Sequence, residues 1–159
     1  MTDRPLRVVQ CGTGNIGLRA LREVIRHPNL ELVGVRVYDP AKDGVDAGVL
    51  CGDGPVGVIA TTEPGAVRAL AADCALHMPR SFDVDEVVGM LECGTNVVTT
   101  RGELFARGDR LDHDARQRTK QKWRILFLDT PKVKMQILAH GYKPNQACAF
   151  TSRRLRICK

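Results

Sequence analysis

The sequence predicts an α/β fold in which helices cover both faces of a doubly wound, mostly parallel sheet. Short apolar runs typical of buried strands alternate with amphipathic segments typical of helices. Gly12, Gly14 and Gly17 follow the first apolar run in a Gly-x-Gly-x-x-Gly pattern, and Asp39 follows Gly17 by 22 positions. These observations indicate a strand-helix-strand unit at the start of the chain.

The first strand is predicted over residues 6–9 and the second over residues 30–38. The helix between them takes its apolar stripe from Ile16, Leu18, Ala20, Leu21, Val24 and Ile25, and residues 27–29 end it.

Each glycine of the pattern has a distinct physical use. Gly12 allows the tight turn out of the strand, Gly14 lets a diphosphate approach the backbone, and Gly17 lets the helix pack closely on the strand. Thr13, Asn15 and Ile16 complete the loop and the helix start, where backbone amides and the helix dipole favour an anion. Such glycines also occur by chance in loops, but the position between strand and helix favours a dinucleotide site.

Asp39 has two interpretations that the sequence leaves open. Its offset suits a carboxylate that binds the adenosine ribose, whereas Asp39-Pro40 is also typical of a turn. Arg36 and Lys42 lie close by in the sequence, and a cation there can accept the 2′-phosphate of NADP. Both NAD and NADP therefore remain candidate cofactors.

The remaining elements continue the alternation of strands and helices. We predict strands at 56–61, 73–78 and 96–100, and helices at 45–50, 63–72 and 82–92, the last one capped by Ser81 or Asp83. His77, Thr99 and Thr100 then fall where strands reach the ligand-binding edge of an open sheet, which makes them candidate cofactor contacts. The alternatives are a satisfied strand-end histidine and ordinary strand threonines.

Composition limits the class of protein. The 159 residues, 43% hydrophobic, suit one globular domain. The sequence has no apolar run of membrane-spanning length, and its start leads directly into the first strand, so we expect a cytoplasmic protein with no membrane partner. The six cysteines contain no Cys-x-x-Cys pair, and we expect neither disulfides nor a metal site.

Charge is distributed unevenly along the chain. Residues 1–100 carry nine basic and thirteen acidic residues, a net charge of −4, whereas residues 101–159 carry fifteen basic and five acidic residues, a net charge of +10. No aromatic series or nucleic-acid module accompanies the basic part, so a nucleic-acid partner is not expected.

Several ordered segments between residues 5 and 115 carry a family resemblance. They are the glycine loop at 8–17, Glu31 to Val35, Asp39 to Lys42, and Asn96 to Glu103. In these segments the chain resembles dihydrodipicolinate-reductase-like NAD(P)-binding proteins, most of all actinobacterial homologues related to diaminopentanoate dehydrogenase. The resemblance implies a Rossmann-type domain and nicotinamide-dependent oxidoreduction. It assigns residues 12–16 to the diphosphate, Asp39 or Lys42 to the adenosine ribose, and Thr99 and Thr100 to the nicotinamide side.

The sequence departs from this pattern at Cys11, where the homologues have a bulkier residue, and again from about residue 116. We expect a Rossmann domain over 1–115 and a divergent basic extension over 116–159, with one further strand at 125–128 and then a poorly ordered tail. No segment matches the second, substrate-binding domain of the family. We expect this extension to result from truncation or a change of reading frame.

Two functions follow as hypotheses. The first is an NAD(P)-dependent oxidoreductase that acts on a small amino or imino acid, and the second is a non-catalytic nucleotide sensor or partner subunit. The histidines at 77, 113 and 140 have no spacing that marks a shared site, so we assign no catalytic residue. An unfinished sheet edge favours a homo-oligomer.

Overall fold

The computed structural model describes residues 4–101 and the backbone of residues 124–129 and 134–139. Its strands are β1 (Leu6–Cys11), β2 (Leu30–Arg36), β3 (Ala60–Thr61), β4 (Cys74–His77), β5 (Asn96–Thr99), β6 (Arg124–Asp129) and β7 (Lys134–Ala139). Its helices are α1 (Asn15–Arg26), α2 (Ala47–Cys51), α3 (Pro64–Arg68) and α4 (Val84–Glu92), with a 3₁₀ turn at Pro40–Lys42.

The strands form one sheet in the order β3-β2-β1-β4-β5-β6-β7. All neighbouring pairs are parallel except β6 with β7, which is antiparallel. The order 3-2-1-4-5-6 is that of a doubly wound sheet whose chain reverses direction between β1 and β4. This arrangement confirms the predicted fold class.

Two apolar clusters hold the helices on opposite faces of the sheet. Val9 and Cys11 of β1 pack with Val87, Met90 and other residues on the α3 and α4 side. The other cluster contains Leu21, Val35, Val37, Ala47 and Cys51 on the α1 and α2 side. Because successive strand residues point to opposite faces, β2 places Val33 against the first cluster and Leu32 against the second.

The third strand is shorter than the predicted span of 56–61. The carboxylate of Asp46 accepts hydrogen bonds from the backbone amides of Val56 (3.0 Å) and Gly57 (2.7 Å) and so holds them in a loop. Gly57 also has a positive φ of 82°, which is incompatible with a regular strand. The sheet therefore ends at an edge strand of two residues.

Other boundaries differ in smaller ways. Leu21 and Val24 are buried as predicted for the stripe of α1, but Ile16, in the first turn of the helix, is 58% exposed. The predicted strand at 125–128 lies within β6, while the sequence predicted no strand where β7 lies. The division at residue 115 stays a prediction, because residues 102–123 lie outside the described part.

Candidate functional site

The turn between β1 and α1 depends on glycines at its two ends. Gly12 has a φ of +92°, and a Cβ built there would lie 2.5 Å from the carbonyl oxygen of Met78. A Cβ on Gly17 would overlap the carbonyl oxygen of Gly12. Larger residues would push the loop away from β4 or the helix away from the loop, so both positions require glycine for close packing.

Gly14 differs from these two glycines, since a Cβ there would meet nothing within 4 Å. The residue is the N-cap of α1 and provides no side-chain cap for the first-turn amides. By contrast, Asp46 caps α2 and Asp83 caps α4 through their carboxylates. The longest described helix thus begins with amides that no side chain caps, beside open space at Gly14, and such a helix start favours an anion.

Lys42 brings a cation to this loop. Its Nζ lies 3.0 Å from the carbonyl oxygen and 3.3 Å from the hydroxyl oxygen of Thr13, which is itself nearly buried. Within residues 4–101, the ion pairs involve other cations, and Lys42 forms none. An ammonium that contacts neutral oxygens alone retains its attraction for an anion.

Asp39 lies at the start of the 3₁₀ turn that carries Lys42. Its Oδ1 accepts a hydrogen bond from the amide of Ala41 at 3.0 Å, so the carboxylate caps the turn as the turn-forming interpretation required. The residue is exposed, and its contact with a ribose stays a prediction.

The Arg36 guanidinium, considered above for the 2′-phosphate of NADP, contacts the Glu86 carboxylate instead. Its Nε donates to Oε1 of Glu86 at 3.3 Å, an Nη donates to the carbonyl of Val37, and the guanidinium lies 4.7 Å from the centre of the Tyr38 ring. These contacts engage the guanidinium on the α4 side of the sheet. Of the two cations considered for a 2′-phosphate, Lys42 is therefore the one that reaches the glycine loop.

Glu86, which the sequence analysis did not single out, lies at the centre of a buried polar network. Its carboxylate is 8% exposed and accepts a hydrogen bond of 2.7 Å from the Tyr38 hydroxyl, in addition to the one from Arg36. Oε2 also lies 3.8 Å from Nε2 of His77. We call Arg36, Tyr38, His77, Glu86 and Thr99 the Glu86 network.

The network continues to the end of β5. Nδ1 of His77 lies 3.3 Å from Oγ1 of Thr99, which accepts a hydrogen bond of 3.1 Å from the Arg101 amide. His77 and Thr99 are both fully buried, whereas Thr100 is half-buried. The structure thus brings two predicted site residues together beneath the surface, and direct contact of His77, Thr99 or Thr100 with a cofactor stays a prediction.

The groups around Glu86 favour its ionised form. Burial alone would raise the pKa of Glu86, but the facing His77 and Tyr38 groups and the Arg36 guanidinium outweigh it and hold that pKa below its ordinary value. Burial, together with the bond to Glu86, raises the pKa of the Tyr38 hydroxyl. A carboxylate therefore faces a neutral phenol and a guanidinium.

Gln10 supports the glycine loop from below. Its fully buried side chain donates from Nε2 to the carbonyl oxygen of Gly12 at 2.9 Å, while its Oε1 has no hydrogen-bond partner in the structure. The sequence offered one signal for this role, a polar side chain within the apolar run of the first strand. The matching signal for Glu86 was an acid within the apolar segment that became α4.

Other candidate sites are weaker. A cavity of about 530 Å³ lies between α3 and the β3 edge, away from the glycine loop, and mainly apolar residues such as Val33, Val67 and Leu70 line it. No group of three or more potential metal ligands occurs among the residues that the structure describes. No helix in this part of the chain is long and apolar enough to span a membrane.

Known proteins resemble parts of this chain. No protein-family model matches the chain. An amine dehydrogenase from Streptomyces virginiae is 48% identical over 65 residues, which is 40% of this chain and 18% of that protein. The chain thus spans about a fifth of the length of this curated relative.

Solved structures extend the likeness to more of the chain. An amine dehydrogenase from Mycobacterium smegmatis matches with a TM-score of 0.64 and 22% identity over 80% of this chain and 40% of that one. Scyllo-inositol dehydrogenase from Lactobacillus casei, solved with NAD(H) and scyllo-inositol, matches with a TM-score of 0.57 and 16% identity over 78% and 36%. These matches show a Rossmann-type fold, shared with dehydrogenases of which one was solved with NAD(H). They do not single out the dihydrodipicolinate-reductase-like branch.

Proposed function

We propose that this chain provides the dinucleotide-binding half of an NAD(P)-dependent oxidoreductase that acts on a small amino or imino acid, in or near the dihydrodipicolinate-reductase-like branch. The observation that carries the proposal is the uncapped start of α1 beneath the open space at Gly14, with the Lys42 ammonium beside it. The likeness to amine dehydrogenases supports the substrate class.

The residues around the crevice fit such a cofactor. Backbone amides from Gly14, Asn15 and Ile16 would bind the diphosphate, with the helix dipole favouring its charge. Asp39 and Lys42 would bind the adenosine ribose, and Lys42 would also attract phosphate. Thr13 would hold the Lys42 ammonium in place through the two contacts that it already makes.

The nicotinamide half would extend toward the ends of β4 and β5. Thr99 and Thr100 would line this part of the crevice, while the buried His77 would fix the orientation of the Thr99 hydroxyl. The bound nicotinamide supplies hydride transfer, and the protein residues orient it and exclude water. A cytoplasmic location and self-association at the short β3 edge form part of the same proposal.

Binding without turnover is the second candidate function. The observation that favours it is the location of the two histidines within residues 4–101. His77 is buried within the Glu86 network, and His27 lies at the opposite edge of the sheet, after α1. Neither is exposed beside the proposed nicotinamide position as a proton donor or acceptor.

Titration of NADH and NADPH fluorescence against the wild type and Gly14→Asp tests the binding proposal. We expect the variant to lose binding while it folds normally, because an aspartate at an N-cap caps the helix amides and repels a diphosphate. Gly65→Asp is the matched control, since Gly65 lies in the first turn of α3 with open space around it. Equal affinities for the wild type and Gly14→Asp would refute the loop assignment.

Turnover separates the two candidate functions. An oxidoreductase should oxidise NADH or NADPH in the presence of ammonia and a small keto compound, or run the reverse reaction with an amine. Binding without any such turnover across a panel of small amino acids, amines and keto compounds would favour the second function.

A further inference from the structure

The last residues of four strands form one row across the sheet. Arg36 of β2 pairs in register with Cys11 of β1, Cys11 pairs with His77 of β4, and His77 pairs with Thr99 of β5. In parallel strands, residues that share a row point to the same face. Glu86 lies on the helix that covers this face, so its carboxylate meets side chains from both ends of the row.

Polar contacts connect the side chains of this row to Glu86. The Arg101 amide donates to Oγ1 of Thr99, and the same oxygen lies 3.3 Å from Nδ1 of His77. Nε2 on the other side of the ring lies 3.8 Å from Oε2 of Glu86, a contact longer than a normal hydrogen bond. On the other side of Glu86, Tyr38 and Arg36 donate to the same carboxylate.

A carboxylate is well suited to this position. Its two oxygens accept several hydrogen bonds and donate none, so it can face the Tyr38 hydroxyl, the Arg36 guanidinium and the His77 ring at once. A glutamine of the same shape would present an NH₂ group to one of these donors. It would also leave the guanidinium of Arg36 nearly buried without its counter-charge.

We propose that Glu86 is a positioning residue that couples the adenosine end of the crevice, at Tyr38 and Arg36, to its nicotinamide end, at His77 and Thr99. This inference rests on the proposed function, since it presupposes that a dinucleotide lies along the carboxyl edge of the sheet. The strand order places the β1 loop between these two ends. A change at one end should therefore be felt at the other through the network beneath the loop.

The test compares wild type, Glu86→Gln, Tyr38→Phe and the double variant. Two quantities are measured: the Kd for NADH, and the fluorescence emission maximum of the reduced nicotinamide at saturation. Glu92→Gln is the control, because Glu92 is an exposed carboxylate at the other end of α4. The emission maximum reports on the nicotinamide surroundings, which a simple loss of stability would leave unchanged in the folded fraction.

We expect Glu86→Gln to raise the Kd for NADH by roughly tenfold, because the side chains at the two ends of the crevice would no longer be held in the arrangement that binds the nucleotide. Tyr38→Phe, at the adenosine end, should shift the nicotinamide emission in the wild-type background and cause no further shift in the Glu86→Gln background. Glu92→Gln should match the wild type in both quantities.

An unshifted nicotinamide emission in Tyr38→Phe, or equal shifts in both backgrounds, would overturn the coupling while leaving dinucleotide binding intact. Failure of the wild type to bind either nucleotide would overturn the proposed function as well. If Glu86→Gln does not fold, the coupling is tested instead with Tyr38→Phe, Thr99→Val and the variant that combines them. Non-additive effects of these two variants on Kd support coupling through the network, and additive effects contradict it.

Discussion

The ammonium of Lys42 lies 3.0 Å from the carbonyl oxygen of Thr13, so the turn after β2 is joined directly to the glycine loop after β1. The two segments are 29 residues apart in the sequence and adjacent at the carboxyl edge of the sheet. Asp39 makes this contact possible, because its carboxylate caps the short turn that carries the lysine. The result is a positive charge held at the mouth of the loop.

Replacing that charge should change which nucleotide the protein prefers. We expect Lys42→Met to raise the Kd for NADPH by roughly tenfold and the Kd for NADH by a smaller factor, because NADPH alone carries a 2′-phosphate. Isothermal titration with both nucleotides measures this difference, with Lys42→Arg as the charge-retaining control. Equal losses for the two nucleotides would instead place the ammonium on the diphosphate.

The glycines of the loop should separate folding from binding. Gly17→Ala should lower the free energy of unfolding by about 1–3 kcal/mol, because its Cβ would overlap the Gly12 carbonyl. Gly14→Ala should leave stability within about 0.5 kcal/mol of the wild type, since open space surrounds the position and its φ of −77° suits alanine. The same methyl group should weaken NADH binding. Urea unfolding and NADH titration measure the two effects, and equal stabilities for the two variants would contradict this account.

Asp73 should make the stability of the protein depend on pH. Its carboxylate accepts hydrogen bonds from the Arg4 guanidinium (2.7 Å) and the Arg7 amide (2.8 Å), and these bonds hold its pKa below the ordinary value against the effect of burial. A lowered folded-state pKa contributes stability in full above the unfolded pKa, and this contribution is lost as the pH falls through the folded value.

We therefore expect Asp73→Asn to be less stable than the wild type by about 1 kcal/mol at pH 7, a value reduced by solvent screening. The difference should shrink as the pH falls below about 4, near the ordinary aspartate pKa. Urea unfolding at a series of pH values checks both points, with Glu23→Gln on the surface of α1 as the control. A difference that stayed constant down to pH 2 would count against this ion pair.

The cysteines should differ in reactivity. Burial raises the pKa of the Cys74 thiol to about 12 and raises the pKa of the fully buried Cys11 as well, whereas Cys93 is exposed at the end of α4. Iodoacetamide at pH 8 should modify Cys93 rapidly in the native protein, the half-buried Cys74 slowly, and Cys11 only after unfolding. Peptide mass spectrometry identifies the modified sites, and rapid native labelling of Cys11 would contradict the packing beneath the loop.

The sequence predicts the elements that local pattern controls. The run at 6–9, the spaced glycines and the stripe through Leu21 and Val24 specify β1, the loop and α1 without reference to the rest of the chain. Asp83 likewise caps α4 as its position before the helix suggested. The length of β3 was not predictable in this way, because the residues that shorten it bond to the distant carboxylate of Asp46.

The candidate site was predictable to a similar degree. Gly12, Gly14 and Gly17 follow from a local motif, and the packing of Gly12 and Gly17 agrees with the uses assigned to them. The roles of Arg36 and Glu86 depend on a contact across 50 positions, which no spacing in the sequence encodes. The Tyr38 hydroxyl reaches Glu86 for the same reason, through the order of strands in the sheet.

The uncapped N-terminus of α1 has a consequence for how long the folded protein survives. Its first amides lack a partner side chain, so a nucleotide bound there would complete the helix in the way that aspartates complete α2 and α4. Occupancy would then raise the melting temperature with nucleotide concentration and slow digestion by proteases. A molecule with bound pyridine nucleotide would in this way persist longer than an empty one.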